Sequence, residues 1–361
     1  MSLTIALVSA QPDWGGGEEQ ARVLASGLVA RGHRVAIVAR RGSALAQRMQ
    51  SERFDVHEFA GKGRSPWALA SIRRVLKQLR PDVLHANDSN ALTAAGIASL
   101  GLGIPARIAS RRVAFPLRWA WKYNHFADRV LCVSQHTLDT CGTCGVREEK
   151  LRLVHDGVDP ARIAAGDRGR GRRALAVEDE TVLLTVGKLT DCKGHTFLLY
   201  ALPAVFARHP DAVAVLVGDG EQLAALREQA RRLGIGHRVR FLGYRRDVPD
   251  LIHAADLYVL PSHVEGLCST LLDAMLAGVP AVATTAGGIP DATGALDPYQ
   301  PPTAWSVPAK DAPALARAID EALRLPEERR LRASRAAARA QELFTAERMI
   351  ESTLAVYREM V

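Results

Sequence analysis

The chain has 361 residues, which is long for one hydrophobic core and sufficient for two domains of ordinary size. Hydrophobic residues make up 48% and charged residues 24%, and no apolar run reaches the ~18 residues of a membrane span, so the composition excludes a disordered chain and a membrane-spanning one. The net charge of +8 suits anionic partners such as nucleotide phosphates, acidic lipid headgroups or nucleic acid, without choosing among them.

Short β-branched runs alternate with helical patterns through the first half of the chain. The first run, Thr4 to Val8, has no basic flank and leads into glycines, which predicts a buried strand and not a signal peptide. With no export signal, the five scattered cysteines predict a reduced, cytoplasmic protein. We predict strands at residues 4–8, 35–38, 83–85, 107–109 and 129–133, with helices between them, and therefore a parallel sheet covered on both faces.

Two segments of the first half have more than one interpretation. Cys141 and Cys144 have the C-x-x-C spacing of a redox pair or half a zinc site, but Gly142 and Gly145 favour a simple helix end, and we expect no metal. Residues 166–173, GDRGRGRR, contain no apolar residue and could contact RNA. A solvated linker or hinge suits them better, because they lie where a boundary is expected between domains at 1–165 and 174–340.

The second half repeats the alternation of strands and helices. We predict strands at residues 182–186, 213–217, 239–241, 257–260 and 279–283, helices at about 194–208, 221–233 and 269–277, and almost continuous helix from Ala312 onward. Ligands of open parallel sheets bind beyond the carboxyl ends of the strands, so two such sheets facing each other would form one deep cleft. We therefore expect the chemistry to lie in loops that directly follow strands.

Glycines and lysines follow the first strand of each half. Gly16 and Gly17 allow close backbone approach to a ligand and precede a helix start that can bind an anion, although a tight turn alone would also use them. The G-x-G-x-x-G spacing is absent there, which argues against an NAD enzyme. Lys188 and Lys193 flank the turn in the second half, where they could converge on a diphosphate or remain solvated.

The most informative segment runs from Pro261 to Met275. Glu265 lies in a loop after a strand, Ser269 and Thr270 open a helix, and Asp273 follows within its first two turns. The two carboxylates bracket a phosphate-sized site and could accept hydrogen bonds from ribose or sugar hydroxyls. A capped helix with acidic residues near its N-terminus is the alternative interpretation.

In this order, the motifs resemble the GT4 family of retaining GT-B glycosyltransferases. The second half carries the resemblance most strongly, through Lys-x4-Lys-Gly at 188–194, Gly218-Asp219-Gly220, Phe241-Leu242-Gly243-Tyr244, Glu265-x7-Asp273, and the segments 277–280 and 286–290. The first half adds residues 15–18, His85, 127–134 and 155–159. The resemblance implies an α/β fold of two Rossmann-like doubly wound domains facing across a cleft, with the C-terminal helix, about 341–361, crossing back to the first domain.

The resemblance also implies an activity and its partners. The family transfers a sugar, with retention of configuration, from a nucleotide-sugar donor such as a UDP- or GDP-sugar to a hydroxyl acceptor. The acceptor would be a sugar, a lipid-linked molecule or a lipopolysaccharide-type molecule, in glycolipid, lipopolysaccharide or polysaccharide synthesis of the cell envelope. No metal or other cofactor is expected. A nucleotide-sugar epimerase, a non-catalytic nucleotide-sugar-binding scaffold and an RNA-binding protein remain as alternatives, and the ordered phosphate and acid motifs favour the transferase over all three.

The resemblance assigns roles to individual residues. Lys188 and Lys193 hold the donor diphosphate, Glu265 contacts the transferred sugar, and these three are the catalytic candidates. The remaining donor-binding candidates are the ribose-binding acid, the loops near the phosphates and base, and the helix start: Asp273, Gly16, Gly17, Gly243, Tyr244, Cys268, Ser269 and Thr270. On the acceptor side the candidates are His85, Arg111 and Arg112.

Several positions depart from the family pattern. Asp273 is one methylene shorter than the usual Glu, Lys188 replaces an Arg and lacks its fork, and Cys268 stands where Gly is common. The stretch 110–116 has two arginines and no His, so either an Arg acts electrostatically there or the acceptor is anionic. Trp119 and Trp121 alternate with basic residues in 117–123, which suggests peripheral membrane contact or a helix that buries one Trp.

Overall fold

The computed structural model describes residues 2–61, 63–295, 297 and 299–361. These residues form two compact units, the first containing residues up to Gly157 together with Ala346–Val361, and the second containing Val158–Thr345. The chain therefore leaves the first unit once and returns to it with its last helix.

The first unit is a parallel sheet with interleaved helices. Its strand order is β3-β2-β1-β4-β5-β6-β7 over the described residues, and all its strand pairs are parallel. Its elements are β1 (Thr4–Ser9), α1 (Gly16–Ala30), β2 (Arg34–Arg40), α2 (Ala44–Ser51), β3 (Asp55–Phe59), α3 (Pro66–Leu79), β4 (Val83–Ala86), α4 (Ser89–Ala98), β5 (Ala106–Arg111), α5 (Ala120–Phe126), β6 (Arg129–Cys132), α6 (Gln135–Thr143) and β7 (Leu151–Leu153).

The second unit repeats this architecture. Within the described part of the chain its parallel strand order is β10-β9-β8-β11-β12-β13. Its elements are α7 (Pro160–Ala164), α8 (Arg168–Leu175), β8 (Thr181–Val186), α9 (His195–Arg208), β9 (Ala212–Val217), α10 (Leu223–Arg232), β10 (Val239–Phe241), α11 (Val248–Ala254), β11 (Leu257–Leu260), α12 (Ser269–Leu276), β12 (Ala281–Thr284), α13 (Ile289–Thr293), β13 (Trp305–Val307), α14 (Ala312–Arg324) and α15 (Pro326–Leu343).

The last helix, α16 (Ala346–Arg358), completes the core of the first unit. Its buried side chains Met349, Ile350, Leu354 and Tyr357 join the cluster formed by α1 and one face of the sheet. This confirms the prediction that the C-terminal helix belongs with the first domain, because a helix with an apolar face stabilises the protein only where that face is covered.

Both sheets reverse their strand order beside their first strand. In the first unit the reversal lies between β1 and β4, and in the second it lies between β8 and β11. In open parallel sheets, ligands bind in the crevice at the carboxyl ends of the strands at such a point. Two candidate crevices are thus fixed by topology, one in each unit.

The arginine- and glycine-rich segment is not the linker that its composition predicted. It forms α8 in the second unit, where the Asp167 side chain caps the helix by accepting from the Arg170 backbone N–H at 2.6 Å. Arg170 also pairs with Asp250 of α11 at 2.8 Å. A Cβ on Gly171 would lie 2.0 Å from the carbonyl oxygen of Asp250, so the missing side chain lets the two helices approach closely. The segment lacks apolar residues because glycine and arginine make its contacts.

The C-x-x-C segment is a helix end, as the glycines indicated. Helix α6 ends at Thr143 with Cys144 as its C-cap, and Gly145 follows with a φ of +93°. Among the described residues, no group of three or more His, Cys, Asp and Glu side chains is placed to hold a metal ion. No described helix combines the length and apolarity needed to cross a bilayer.

The two glycines of α8 give a matched test of this packing. Gly171→Ala should lower the free energy of unfolding by about 1–3 kcal/mol, the range for overpacking. Gly169→Ala should instead raise it by about 0.5–1 kcal/mol, because alanine favours the helix and its Cβ would meet only side-chain atoms, Arg173 Nη1 at 3.3 Å and Asp167 Oδ1 at 3.4 Å. Denaturant unfolding of both variants measures the difference, and equal stability would contradict the tight contact of α8 with α11.

Candidate functional site

Two loops of the second unit meet at the reversal between β8 and β11. Gly194 has a φ of +68°, and a Cβ there would lie 2.0 Å from the carbonyl oxygen of Pro261. The backbone N–H of His263 donates to the carbonyl of Cys192 at 2.9 Å, which joins the loops a second time. Glycine is thus required at position 194 by both its backbone conformation and its neighbour.

The side chains of Lys193 and Glu265 form an ion pair between these loops. Lys193 Nζ lies 2.7 Å from Glu265 Oε2, and the buried Ser262 hydroxyl donates to the same oxygen at 3.1 Å. The Glu265 side chain is only 11% exposed. Burial lowers the pKa of Lys193, but the charge of Glu265 and their hydrogen bond outweigh it and raise that pKa above its usual value. The lysine is therefore held as a cation against the glutamate.

The backbone of Glu265 is fixed from the opposite side by a glycine pair. Gly288 N–H donates to the Glu265 carbonyl at 3.0 Å, and a Cβ on Gly287 would lie 2.0 Å from that oxygen. Gly287 has a φ of +55°. The Gly287–Gly288 turn, part of the sequence motif at 286–290, therefore fixes the position of the Glu265 backbone.

Helix α12 begins at this site without a side-chain cap. Its N-cap is Cys268, in an extended conformation and buried, with its Sγ 3.3 Å from the Thr270 hydroxyl. Thr270 donates to the Val186 carbonyl at the end of β8, at 3.0 Å, and contacts the buried Tyr258 hydroxyl at 2.7 Å. Ser269 opens the helix. The helix start is thus anchored to β8, beside the loop that carries both lysines.

Lys188, Gly243 and Tyr244 surround the carboxyl ends of β8 and β9. Lys188 is exposed, in a loop whose Gly187 carbonyl would lie 1.9 Å from a Cβ on Gly218. Gly218 also forms an isolated bridge with Gly243, whose φ is +66°. Tyr244 is exposed beside this bridge. The glycine motif at 218–220 therefore packs the β9 loop directly against the β8 loop.

Asp273, the second acid of the motif, is buried and ion-paired. Its Oδ1 lies 2.6 Å from Nη2 of Arg162, which α7 supplies. Nothing in the Glu-x7-Asp spacing indicated this partner, because Arg162 lies 111 residues earlier in the chain. The ribose-binding role of Asp273 stays a prediction, with the added fact that an arginine fixes its carboxylate.

In the first unit, Gly16 and Gly17 open α1 at the reversal between β1 and β4. A Cβ on Gly16 would meet nothing within 4 Å, and the Gly17 carbonyl accepts from Asn87 Nδ2 at 3.1 Å. Arg112 donates to Asn87 Oδ1 at 2.6 Å and to Asp156 Oδ1 at 2.9 Å. Burial raises the pKa of Asp156, and Arg112 partly offsets this. Arg112 is thus neutralised within its own unit and braces the glycine turn through Asn87.

His85, an acceptor-side candidate of the sequence analysis, lies in the core of the first unit, and its acceptor-side role stays a prediction. It is 1% exposed, its Nε2 lies 2.7 Å from the Ser110 hydroxyl, and its Nδ1 lies 2.5 Å from the Tyr357 hydroxyl of α16. Burial, with a smaller contribution from the Arg112 charge, lowers the pKa of His85 to about 3. It is therefore a neutral side chain that joins β4, β5 and the last helix.

The basic and aromatic stretch after β5 leaves both of its tryptophans at the surface. Trp119 is 61% and Trp121 52% exposed, with Phe115 and Arg118 also exposed. The interpretation of a helix that buries one Trp is therefore wrong. Only seven residues form α5, and its buried side chains are Lys122 and Tyr123.

Three residues of these sites were not found from sequence: Ser262, Arg162 and Asn87. Ser262 precedes Glu265 by three residues, which is close enough for a hydroxyl to reach its carboxylate, and this signal could have found it. Asn87 directly follows β4 and could have been found by its place after a strand. Arg162 had no such signal.

Two family models match the chain in succession. Residues 14–162 match the model described as Glycosyltransferase Family 4, and residues 168–340 match the one described as Glycosyl transferases group 1. The two parallel-sheet units, each matched by one of these models, define the GT-B fold class. The chain belongs to the family-4 glycosyltransferases, which confirms the resemblance found in the sequence motifs.

Curated relatives match over part of their length. The UDP-Gal:alpha-D-GlcNAc-diphosphoundecaprenol alpha-1,3-galactosyltransferase of Escherichia coli is 26% identical over 61% of this chain and 62% of its own. The D-inositol 3-phosphate glycosyltransferase of Saccharomonospora viridis is 34% identical over 58% of this chain and 50% of its own. An uncharacterised glycosyltransferase of Methanocaldococcus jannaschii is 32% identical over 42% of this chain and 40% of its own. The chain thus spans about half the length of these relatives.

Solved structures share the fold over the whole chain. The crystal structure of Anabaena HepE in complex with UDP and glucose has a TM-score of 0.87 and 23% identity, covering 99% of this chain and 100% of its own. WaaG, a glycosyltransferase involved in lipopolysaccharide biosynthesis, has a TM-score of 0.72 and 18% identity, covering 99% of each chain. These matches confirm two Rossmann-like parallel-sheet domains.

The Lys193–Glu265 pair gives a prediction about stability that is independent of any ligand. Lys193→Gln should lower the free energy of unfolding of the second unit by about 2 kcal/mol, because it leaves a largely buried carboxylate without its cation. This corresponds to a fall in Tm of about 4–8 °C for a unit of this size. Thermal unfolding followed by circular dichroism measures it.

Two variants control this experiment. Lys188→Gln removes an exposed lysine of the same loop and should change stability by no more than about 0.5 kcal/mol. The double variant Lys193→Gln/Glu265→Gln should regain much of the lost stability, because both charges are then gone. Additive losses in the double variant would show that the two side chains do not interact.

Proposed function

We propose that this chain is a retaining glycosyltransferase that moves a sugar from a nucleoside diphosphate sugar to an acceptor hydroxyl. The observation that carries the proposal is the Lys193–Glu265 ion pair, at 2.7 Å, set between two loops at the strand reversal of the second unit. The E. coli relative is named for a UDP-Gal donor, and HepE was crystallised with UDP-glucose, which supports a donor of this class.

In this proposal Glu265 orients the transferred sugar. Lys193 and Ser262 both donate to Oε2 of Glu265, so among the described contacts Oε1 is the oxygen left to accept from a sugar hydroxyl. A carboxylate held at one oxygen keeps the other in place through the reaction, which favours a fixed geometry in the transition state. Ser262 is then a positioning residue that acts through Glu265.

The departing diphosphate would be stabilised by positive charge around the start of α12. Lys188 and Lys193 supply two cations, and α12 begins without a side-chain cap, so its N-terminal backbone N–H groups can donate to phosphate oxygens. Preorganised donors of this kind stabilise charge that builds on the leaving group. We propose that these groups suffice and that the reaction needs neither a metal ion nor another cofactor.

The nucleoside would extend from the diphosphate towards Asp273 and Tyr244. The Asp273 carboxylate, fixed by Arg162, would accept from ribose hydroxyls, and Gly243 and Tyr244 would border the base. The acceptor hydroxyl would attack the anomeric carbon on the face from which the diphosphate leaves. Because attack and departure share one face, configuration is retained without a covalent protein intermediate, and the proton of the hydroxyl passes to the leaving phosphate.

The acceptor belongs, in our proposal, to glycolipid, lipopolysaccharide or polysaccharide synthesis at a membrane surface. The E. coli relative is named for an acceptor on diphosphoundecaprenol, and the name of WaaG places it in lipopolysaccharide biosynthesis. In this chain Phe115, Trp119 and Trp121 are exposed beside Arg118, which provides apolar rings and positive charge on one stretch. We propose peripheral contact of this stretch with an anionic bilayer.

Donor binding tests the proposed function. UDP, GDP and their sugar conjugates should be screened by thermal shift, and a ligand at about 100 times its Kd should stabilise the protein by about 2.7 kcal/mol. Glu265→Gln should keep the response to the free nucleoside diphosphate and lose the added response to the sugar, while Glu228→Gln, an exposed acid of α10, should respond like wild type. Absence of any shift at millimolar nucleotide would overturn the proposal.

Slow hydrolysis of the responding donor, with water in place of the acceptor, tests the chemistry in the same experiment series. The freshly released sugar should keep the donor's anomeric configuration by NMR. The rate should be unchanged in EDTA and should fall about 100-fold in Glu265→Gln, the scale of losing one group directed at the transition state. Inversion of configuration, or loss of the reaction in EDTA, would contradict the mechanism.

Vesicle binding tests the membrane contact separately. Wild-type protein should co-sediment with phosphatidylcholine–phosphatidylglycerol vesicles, and the double variant Trp119→Ala/Trp121→Ala should bind at least about tenfold more weakly, because two exposed rings no longer enter the interface. Tyr200→Ala, which removes an exposed aromatic ring from α9 of the second unit, is the control. Equal binding by all three proteins would rule out this stretch as the contact.

A further inference from the structure

A group of basic side chains surrounds the first turn of α4, at the carboxyl ends of β4 and β5. Lys122 Nζ donates to the carbonyl of Ser89 at 3.1 Å and also to its hydroxyl. Arg64 Nη2 donates to Asn90 Oδ1 at 2.6 Å. Arg111 is the last residue of β5, and its charge is close enough to influence Lys122. We call Arg64, Arg111 and Lys122 the basic cluster.

The basic cluster holds positive charge that the described part of the first unit does not neutralise. The hydrogen-bond partners of its members are carbonyl, hydroxyl and amide oxygens, and none of the three forms an ion pair with a described carboxylate. Arg111 is 7% and Lys122 9% exposed. Burying cations without a counter-ion is unfavourable, so this arrangement does not stabilise the unit by itself.

Neighbouring groups leave this charge in place. Asp88 is close to Lys122, but its Oδ1 accepts from the backbone N–H groups of Asn90 and Ala91 and its Oδ2 from that of Ala10. Burial and the charges of Arg64 and Arg111 lower the pKa of Lys122, and Asp88 offsets them only in part. Because Asp88 already caps α4, the free donors at this point are side chains and not helix N–H groups.

One buried donor of the cluster, Nε of Arg111, lacks a hydrogen-bond acceptor in the described structure. The fully buried Tyr123 hydroxyl of α5 lies beside it: burial raises the pKa of Tyr123, while the Arg111 charge and hydrogen bonding to Ser89 and Arg111 lower it. A buried donor without an acceptor is unfavourable, and the oxygen of an incoming anion would satisfy it.

The adjacent Arg112 shows the contrasting arrangement. It is paired with Asp156 at 2.9 Å and with Asn87 at 2.6 Å, so it forms a closed network within the unit. Arg111, one residue earlier, has no such carboxylate among the described residues. The two arginines of one strand end therefore differ in function, one bracing the fold and the other remaining available to a ligand.

We infer that the basic cluster binds a phosphate group carried by the acceptor, an inference that rests on the transferase function proposed above. A phosphate monoester carries about −1.5 to −2 charges at pH 7 and presents three acceptor oxygens, which suits three cations better than a singly charged, planar carboxylate does. Arginine guanidinium groups match phosphate oxygens in pairs. The position, at the carboxyl ends of strands beside the reversal, is where open sheets bind ligands.

Calorimetric titration with sn-glycerol 3-phosphate tests the inference, with glycerol as the uncharged probe. Wild type should bind the phosphate and not glycerol. Lys122→Gln should weaken binding at least about tenfold, and the exposed Arg64→Gln about threefold, since each removes a charged donor. Arg74→Gln removes another exposed cation, from α3, and should bind like wild type. Circular dichroism checks that each variant is folded. If Lys122→Gln does not fold, Arg64→Gln still tests the inference, because Arg64 is exposed.

A variant of the second unit tests whether glycerol phosphate binds at the donor site instead of the basic cluster. Lys188→Gln should leave glycerol phosphate binding unchanged while weakening nucleoside diphosphate binding. If binding is lost in Lys188→Gln and kept in Arg64→Gln and Lys122→Gln, the phosphate occupies the donor site and the inference is wrong. If nucleotides bind but wild type binds neither glycerol phosphate nor phosphatidic acid vesicles, the inference fails while the transferase proposal stands. If glycerol phosphate binds but no nucleotide does, the transferase proposal fails, and the cluster is then a phosphate site without an assigned acceptor.

A vesicle-binding experiment distinguishes the phosphate of a soluble acceptor from that of a lipid headgroup. Trp119→Ala/Trp121→Ala protein, used to suppress the aromatic contact, is sedimented with phosphatidylcholine vesicles with and without phosphatidic acid. Binding that requires phosphatidic acid and is lost with Arg64→Gln assigns the phosphate to a lipid headgroup. Binding of glycerol phosphate alone assigns it to a soluble acceptor, and either result supports the phosphate site.

Discussion

The carboxylate of Glu265 is largely buried and therefore requires a cation, which Lys193 supplies. The loops around this ion pair hold the two side chains together. Lys193 reaches the carboxylate only because Gly194 turns the chain with a positive φ and lets the β8 loop touch the carbonyl of Pro261. The Gly287–Gly288 turn closes the loop from the other side. A buried ion pair needs complete surroundings, because losing either partner leaves an uncompensated charge. Three glycines therefore serve one electrostatic contact.

The central strands could be predicted from sequence, whereas of the four edge strands only β10, at residues 239–241, was predicted. Residues 182–186, 213–217 and 257–260 are apolar runs because they lie inside a sheet covered on both faces, and each was placed within a residue of its observed bounds. The missed strands β3, β7 and β13 all lie at the edge of a sheet, and two of them have three residues. Edge strands are short and tolerate polar residues, so they lack the signal.

The candidate site was predictable in its residue types but not in its pairings. Lys193 and Glu265 could be found because the chemistry of a diphosphate and a sugar demands such groups after strands. Their mutual contact, the arginine on Asp273 and the burial of His85 by Tyr357 depend on residues 72, 111 and 272 positions apart. Spacing along one element contains no information about such contacts. The helix α8 was missed for the same reason, because glycine and arginine pack it against α11 with few apolar residues.

The two units use the same topology but treat charge differently at the reversal of strand order. In the second unit Lys193 meets the Glu265 carboxylate from the facing loop, so this cation is balanced before any ligand binds, while the exposed Lys188 adds positive charge beside the pair. In the first unit Asp156 neutralises Arg112, while Arg111 and Lys122 keep only uncharged partners among the described residues. Selection for stability alone would remove such cations, because an apolar residue of similar size costs less to bury. Their presence beside a braced glycine turn is better explained by an anion that the crevice receives than by the folding of the unit.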